Sequence, residues 1–172
     1  MKPLMKLLLV LVIVSFANRA DSQRLFFLFA HGIYSVPANN DMTNNYRFGA
    51  GGEIGVGVGM KKTFVTGTVG YSAFSSKSSA TYNIKNNLNY APIRVGLRHY
   101  VFGKLVYLKG DLGLANVKMQ SGSGSSKFTS SLGAGVKFGG IELETDYEGV
   151  KIPNTNTTGS WFGLKAGFYI GL

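Results

Sequence analysis

Two-residue alternation is the feature that most limits what this chain can become. In "RFGAGGEIGVGVGM" (47–60), Phe48, Ala50, Gly52, Ile54, Val56, Val58 and Met60 share one parity. Arg47, Gly49, Gly51, Glu53, Gly55, Gly57 and Gly59 share the other. Successive side chains of a strand point to opposite faces, so this is a strand with one apolar face and one small-or-polar face. The same split runs through 90–101, 106–114, 128–138 and 161–172, and less cleanly through 64–74. Residues 24–34 are too uniformly apolar for a face to be assigned. With 141–150 this predicts eight strands, each about ten residues long, the length at which a β-strand crosses a bilayer.

The connections alternate in length. Segments 35–45, 75–88, 119–127 and 151–160 are long and rich in Asn, Ser, Thr, Gly and Lys, whereas "KK" (61–62), "FGK" (102–104) and "GG" (139–140) are tight. Long external loops with short periplasmic turns mark an up-and-down transmembrane barrel with both termini in the periplasm. The expected fold is therefore all-β, an eight-stranded antiparallel up-and-down transmembrane β-barrel of one domain.

The N-terminus fits that destination. "MKPLMKLLLVLVIVSFANRADSQ" has two early lysines, an apolar run from Leu7 to Val14 and a small-residue exit. That reads as a signal peptide over 1–22, with the barrel over 23–172 and cleavage after Ser22, or alternatively after Ala17. The 18 Lys+Arg against 8 Asp+Glu give a formal +10, which in isolation points to an anionic partner. Export argues against nucleic acid and leaves a membrane surface. The chain has no cysteine, so disulfides and thiolate chemistry are excluded.

Charge placement decides which face points where. On the minority face, Arg47, Arg94, Arg98, Lys109, Lys137 and Lys165 stand against Glu53, Asp111, Glu142, Glu144, Asp146 and Glu148, six of each sign. A solvated face has no need to balance, but an enclosed lumen does, because a buried unpaired charge costs several kcal/mol. The apolar face is therefore expected to meet lipid. Phe48, Tyr71, Phe128, Tyr147 and Phe162 at the long-loop ends, and Phe102, Phe138 and Phe168 at the short-turn ends, form two aromatic girdles.

With these features in place the chain resembles the small eight-stranded outer-membrane barrels, the group that includes OmpX and the OmpA transmembrane domain. "LNYAPIRVGLRHYVFGKLVYLKGDLGL" also resembles the outer-membrane β-barrel domain of Bacteroidota, of PorT-like type. The resemblance covers 23–172 and implies an outer-membrane location in a Gram-negative cell. For function it implies a structural or surface-interaction barrel. The alternatives are a protein-handling or type IX secretion accessory, a lipid A-modifying enzyme or a soluble periplasmic carrier. The terminal "FYIGL" departs from the aromatic ending of many proteobacterial barrels.

Chemistry-bearing patterns are sparse. His31 and His99 are the two histidines, and neither has a catalytic partner in its pattern, so both read as interfacial aromatics and the chain as a non-enzyme without cofactor or metal. "GVGVG" (55–59) lacks the Lys-Ser/Thr of a phosphate loop. "IELETDYEGV" (141–150) holds four of the eight acids, Glu142, Glu144, Asp146 and Glu148. Carboxylates two apart on a strand do not curl into a calcium loop, and they read instead as one wall of the lumen. A "GG" turn places Lys137 opposite Glu142, Lys165 near Glu144 or Asp146, and Arg94 and Arg98 across the barrel.

From residue 23 onward Lys+Arg exceed Asp+Glu by 15 to 7, and the surplus lies at the rims. Lys77, Lys85, Lys118, Lys127 and Lys151 are the candidate contacts for lipopolysaccharide phosphates. The external loops are the surface offered to a protein partner. The expected particle is a monomer among outer-membrane lipids. Eight strands enclose a space that side chains fill, so no sizeable channel is expected.

Overall fold

The computed structural model describes residues 26–77, 87–119, 124–151 and 158–171. The expected signal segment 1–22 lies outside them, as do most of the long connections at 78–86, 120–123 and 152–157. Eight strands form: β1 (Phe26–Pro37), β2 (Tyr46–Met60), β3 (Thr63–Ser76), β4 (Leu88–Phe102), β5 (Val106–Met119), β6 (Ser125–Phe138), β7 (Ile141–Lys151) and β8 (Thr158–Gly171). A one-turn helix, α1 (Asn40–Asn45), interrupts the first external connection. Every strand pairs antiparallel with its sequence neighbours, and β8 pairs with β1 to close the ring.

The strands run 11 to 15 residues, longer than the ten expected. The excess lies in polar ends such as Ser125–Lys127 and Asn116–Lys118, where the backbone stays paired after the apolar alternation has faded. Two turns lie where expected, at Lys61–Lys62 and Gly139–Gly140, and the third spans 103–105, one residue later than the expected 102–104 because Phe102 stays in β4. Each passes through one residue in the left-handed region: Lys61 (φ 58°), Gly103 (φ 57°) and Gly139 (φ 61°). Glycine adopts that conformation without a Cβ clash, whereas Lys61 does so with one.

The faces are inverted relative to a water-soluble barrel. Leu132 is 72% exposed and Ile93 67%, whereas Arg98 is 0% and Lys165 2% exposed. The apolar belt is flanked by the girdle aromatics, all of them exposed: Phe48, Tyr71, Phe128, Tyr147 and Phe162 on the loop side, Phe102, Phe138 and Phe168 on the turn side. Tyr34 joins the outer girdle, stacked on Phe48 at 5.8 Å.

The small inward residues of β2 and β6 make room for large ones from neighbouring strands. A Cβ on Gly57 would lie 2.1 Å from the Phe27 ring, on Gly55 2.3 Å from Phe29, and on Gly135 2.3 Å from Tyr107. These glycines are sites of close approach. Gly57→Val is accordingly expected to displace Phe27 and destabilise the folded barrel by about 1–3 kcal/mol. The outward Val58→Leu should be near neutral. Urea unfolding in detergent micelles, followed by heat-modifiable gel migration, checks both.

Candidate functional site: a three-layered lumen and its outer rim

Inward side chains stack in three layers. Nearest the turns, Phe27, Phe29, Phe64, Tyr100, Tyr107 and Tyr169 form a buried aromatic cluster. Edge contacts link Phe27 to Phe64 at 5.2 Å, Phe64 to Tyr100 at 5.9 Å and Tyr100 to Tyr107 at 5.5 Å. Nearest the loops, Met42, Tyr46, Phe74, Leu88, Tyr90, Ala115, Val117, Val150 and Trp161 form a second buried cluster. Trp161 stands 4.8 Å from Phe74 and 4.9 Å from Tyr90, each edge-on. Met42 comes from α1, whose first turn is capped by the Asn39 side chain accepting from the Met42 amide at 3.2 Å. The external connection thus folds one apolar side chain into the mouth.

Between the clusters lies the charged layer. Glu53 (β2) meets His31 at 3.1 Å, Arg94 at 2.7 Å, Lys165 at 3.1 Å and Lys109 at 3.7 Å. Lys165 (β8) also reaches Asp146 at 2.7 Å, Glu148 at 3.3 Å and Glu144 at 3.5 Å. Arg94 spans from Glu53 to Glu148 at 2.5 Å. Arg98 bonds Glu142 at 2.6 Å and approaches Glu144 at 3.7 Å. Lys109 lies 3.3 Å from both Asp111 and Glu144. Neutral donors complete the set, with Tyr107 donating to Glu144 at 3.0 Å and Ser131 to Asp111 at 3.0 Å. The Arg98 guanidinium also faces the Tyr107 ring at 4.1 Å and the Phe27 and Phe29 rings at 4.9 Å each, which couples the charged layer to the aromatic one.

Two placements in the charged layer differ from the sequence reading. Arg47 is exposed and outside the lumen. The β2–β3 register shifts between Tyr46 and Phe48, so a bulge at Arg47 breaks the parity that put it inside. His31, read as an interfacial aromatic, is buried at 4% exposure, with its two ring nitrogens each 3.1 Å from a carboxylate, of Glu53 and of Glu142. An imidazole donates from both nitrogens only as the imidazolium. Between these two carboxylates His31 takes a place in the network that the sequence reading had given to Arg47. His99 does face outward, near the turns, with Nδ1 2.9 Å from the Thr63 hydroxyl of the adjacent strand.

Lys137 is aligned with Glu142, as the turn geometry requires. Its ammonium lies over the Tyr169 ring at 3.8 Å and within 5.3 Å of Tyr100, while the Glu142 carboxylate serves Arg98 and His31. Among the described residues, no group of three or more His, Asp or Glu has the arrangement of a metal site. The acids of β7 face cations instead.

Of the rim lysines, Lys118 and Lys151 are exposed on the outward parity of β5 and β7. Lys127, expected in an external loop, is instead half-buried on the lumen parity, because β6 already begins at Ser125. Lys77 is exposed, its ammonium donating to the Thr43 carbonyl of α1 at 2.5 Å. Lys85 lies outside the described residues.

No protein family matches the chain by sequence, and no curated protein does. Solved structures do match in fold. The attachment invasion locus protein Ail of Yersinia pestis superposes with a TM-score of 0.58 at 15% identity, over 84% of this chain and 98% of Ail. Neisserial surface protein A gives 0.57 at 17% identity, over 86% and 97%. The N-terminal barrel of Pseudomonas aeruginosa OprF gives 0.52 at 14% identity, over 84% and 97%. Its fold is that of the small eight-stranded outer-membrane β-barrels. The closed eight-strand ring carries that assignment together with the lipid-facing belt, and the outer membrane is the location of such a barrel.

Within this outer-membrane barrel, Lys165 is the cation with the most carboxylate neighbours. Lys165→Met should leave Asp146 and Glu148 under-compensated and cost about 3–5 kcal/mol, the scale for breaking a buried pair from one side. Asp146→Ala should cost less than Glu144→Ala, because Glu144 also holds Arg98, Lys109 and Tyr107. Detergent-micelle unfolding curves rank the three.

Proposed function

We propose that this barrel acts at the cell surface through its external loops and basic outer rim, with its lumen closed to transport. The observation that carries the reading is the layering: a fully desolvated ion-pair network capped at both ends by packed aromatic clusters. A conduit needs a continuous polar path, and this interior offers none without unpacking one cluster. What remains available is the outside: the connections around 35–45, 75–88, 119–127 and 151–160 and the cations beside them. As a surface barrel it needs no catalytic group, and the monomer is the particle that a closed ring with no free strand edge favours. In planar bilayers the purified barrel should show no steady nanosiemens-scale conductance.

The rim cations suit anionic headgroups. Lys118 and Lys151 extend outward beyond the aromatic girdle, and Arg47, released from the lumen by its bulge, adds another exposed cation at the same end. Lysine meets phosphate as a point charge, and arginine meets it in a fork. The Ail barrel has also been solved with sucrose octasulfate, a heparin analogue, at 16% identity to this chain. A polyanion of that kind is what such a rim would attract. Replacing Lys77, Lys85, Lys118, Lys127 and Lys151 together with Gln should reduce lipopolysaccharide co-purification several-fold and leave heat-modifiable migration intact. Unchanged co-purification removes the lipopolysaccharide reading.

A further inference from the structure

The turn end of the barrel exposes charge of one sign. Lys61 and Lys62, in the β2–β3 turn, and Lys104, in the β4–β5 turn, are all exposed there. The Gly139–Gly140 turn carries no charge, so these cations lie in one sector, from β2 to β5. No exposed carboxylate shares that end among the described residues. Glu53, Asp111, Glu142, Glu144, Asp146 and Glu148 are buried in the lumen, and Asp41 lies in α1 at the opposite end. Strand β4 joins the two turns: the Tyr100 amide donates to the Lys62 carbonyl at 2.8 Å, and the strand then ends at Phe102, two residues before Lys104.

The backbone singles out Lys61. It holds φ at 58°, in the left-handed region where the other two turns place Gly103 and Gly139. A lysine keeps a Cβ clash there that glycine avoids, and an outlier of this kind points to a use for its side chain. Exposed Met60, Val101, Phe102 and Leu105 stand among the cations. Thr63 and His99, partners across β3 and β4, add a hydroxyl and an imidazole joined at 2.9 Å. Ammonium groups beside exposed apolar side chains match an anion that carries acyl chains. A zwitterionic headgroup brings its own ammonium, for which this surface offers no carboxylate, so the match is to a headgroup of net negative charge.

We propose that the β2–β5 turn sector binds the phosphate of a net-negative glycerophospholipid in the periplasmic leaflet. The site goes beyond the surface reading: it lies at the opposite end of the barrel and uses none of the outer-rim lysines. Lys61→Gly is the discriminating variant. It removes the ammonium and the Cβ clash together, so the barrel should gain stability as it loses lipid. A lysine that merely decorates a turn would show the gain alone.

The test places the full barrel in nanodiscs of phosphatidylethanolamine and phosphatidylglycerol and counts the retained lipids by native mass spectrometry. The wild type should retain phosphatidylglycerol in preference. A lysine at an anionic surface contributes about fivefold in affinity. Lys61→Gly should therefore retain about fivefold less phosphatidylglycerol while unfolding at higher urea. Lys61→Gly, Lys62→Gln and Lys104→Gln together should retain at least about tenfold less, with heat-modifiable migration intact. Lys62→Arg with Lys104→Arg, which keeps the charge, should bind as the wild type does. The five-lysine Gln variant of the outer rim should also retain phosphatidylglycerol unchanged, so loss of lipopolysaccharide co-purification and loss of this site are read separately. No preference in the wild type, or undiminished retention by Lys61→Gly or by the triple variant, overturns the site. Loss of phosphatidylglycerol in the five-lysine variant overturns it as well.

Discussion

Glu53 is the point at which the interior is tied together. It is the one charged lumen residue on a strand that, beyond Tyr46 at its loop end, lines the interior with glycine, and four basic side chains from three other strands and its neighbour β1 converge on it. Away from water a carboxylate is tolerated only where opposite charge and donors replace its hydration. That requirement fixes the ring. β1, β4, β5 and β8 must all be in place before Glu53 is neutralised, and the same cations then serve the four acids of β7. The charge network therefore specifies closure as well as tolerating it.

The two aromatic clusters follow from the same constraint. Ion pairs gain strength as water is excluded, and the clusters exclude it from both ends. Arg98 joins the layers by offering its edges to Glu142 and its face to three rings. The glycines of β2 and β6 supply the space into which Phe27, Phe29 and Tyr107 pack. The glycine content that would weaken a soluble sheet here lets an eight-strand ring hold large side chains from the neighbouring strands.

Much of this was legible in the sequence. Alternation showed the strands, loop lengths showed the topology, and the matched charges on one parity showed which face was enclosed. The register Lys137 to Glu142 followed from a two-residue turn, and the reach of Lys165 to Glu144 and Asp146 followed from adjacency. Two residues were misplaced for definite reasons. Arg47 obeys the local parity but sits on a bulge, and a one-residue insertion leaves no trace in a hydrophobic pattern. His31 lies in a strand so uniformly apolar that parity carries no information. A signal was present elsewhere: Gly55 and Gly57 leave inward space on β2 that an adjacent strand must fill, which orients Phe29 and Phe27 inward and His31 with them.

What the sequence by itself determined is the class of object: an all-β, lipid-facing ring with charges of both signs in its interior. Periodicity, turn chemistry and charge parity are local properties that survive without coordinates. Only the tertiary structure decided which charges share a partner, that α1 turns Met42 into the mouth, and that a bulge carries Arg47 out of the lumen. Those depend on ring closure and inter-strand stagger, which bring together side chains more than a hundred residues apart, such as His31 and Glu142. No local pattern encodes a distance of that kind, because the strands acquire their relative heights only when the last one pairs with the first.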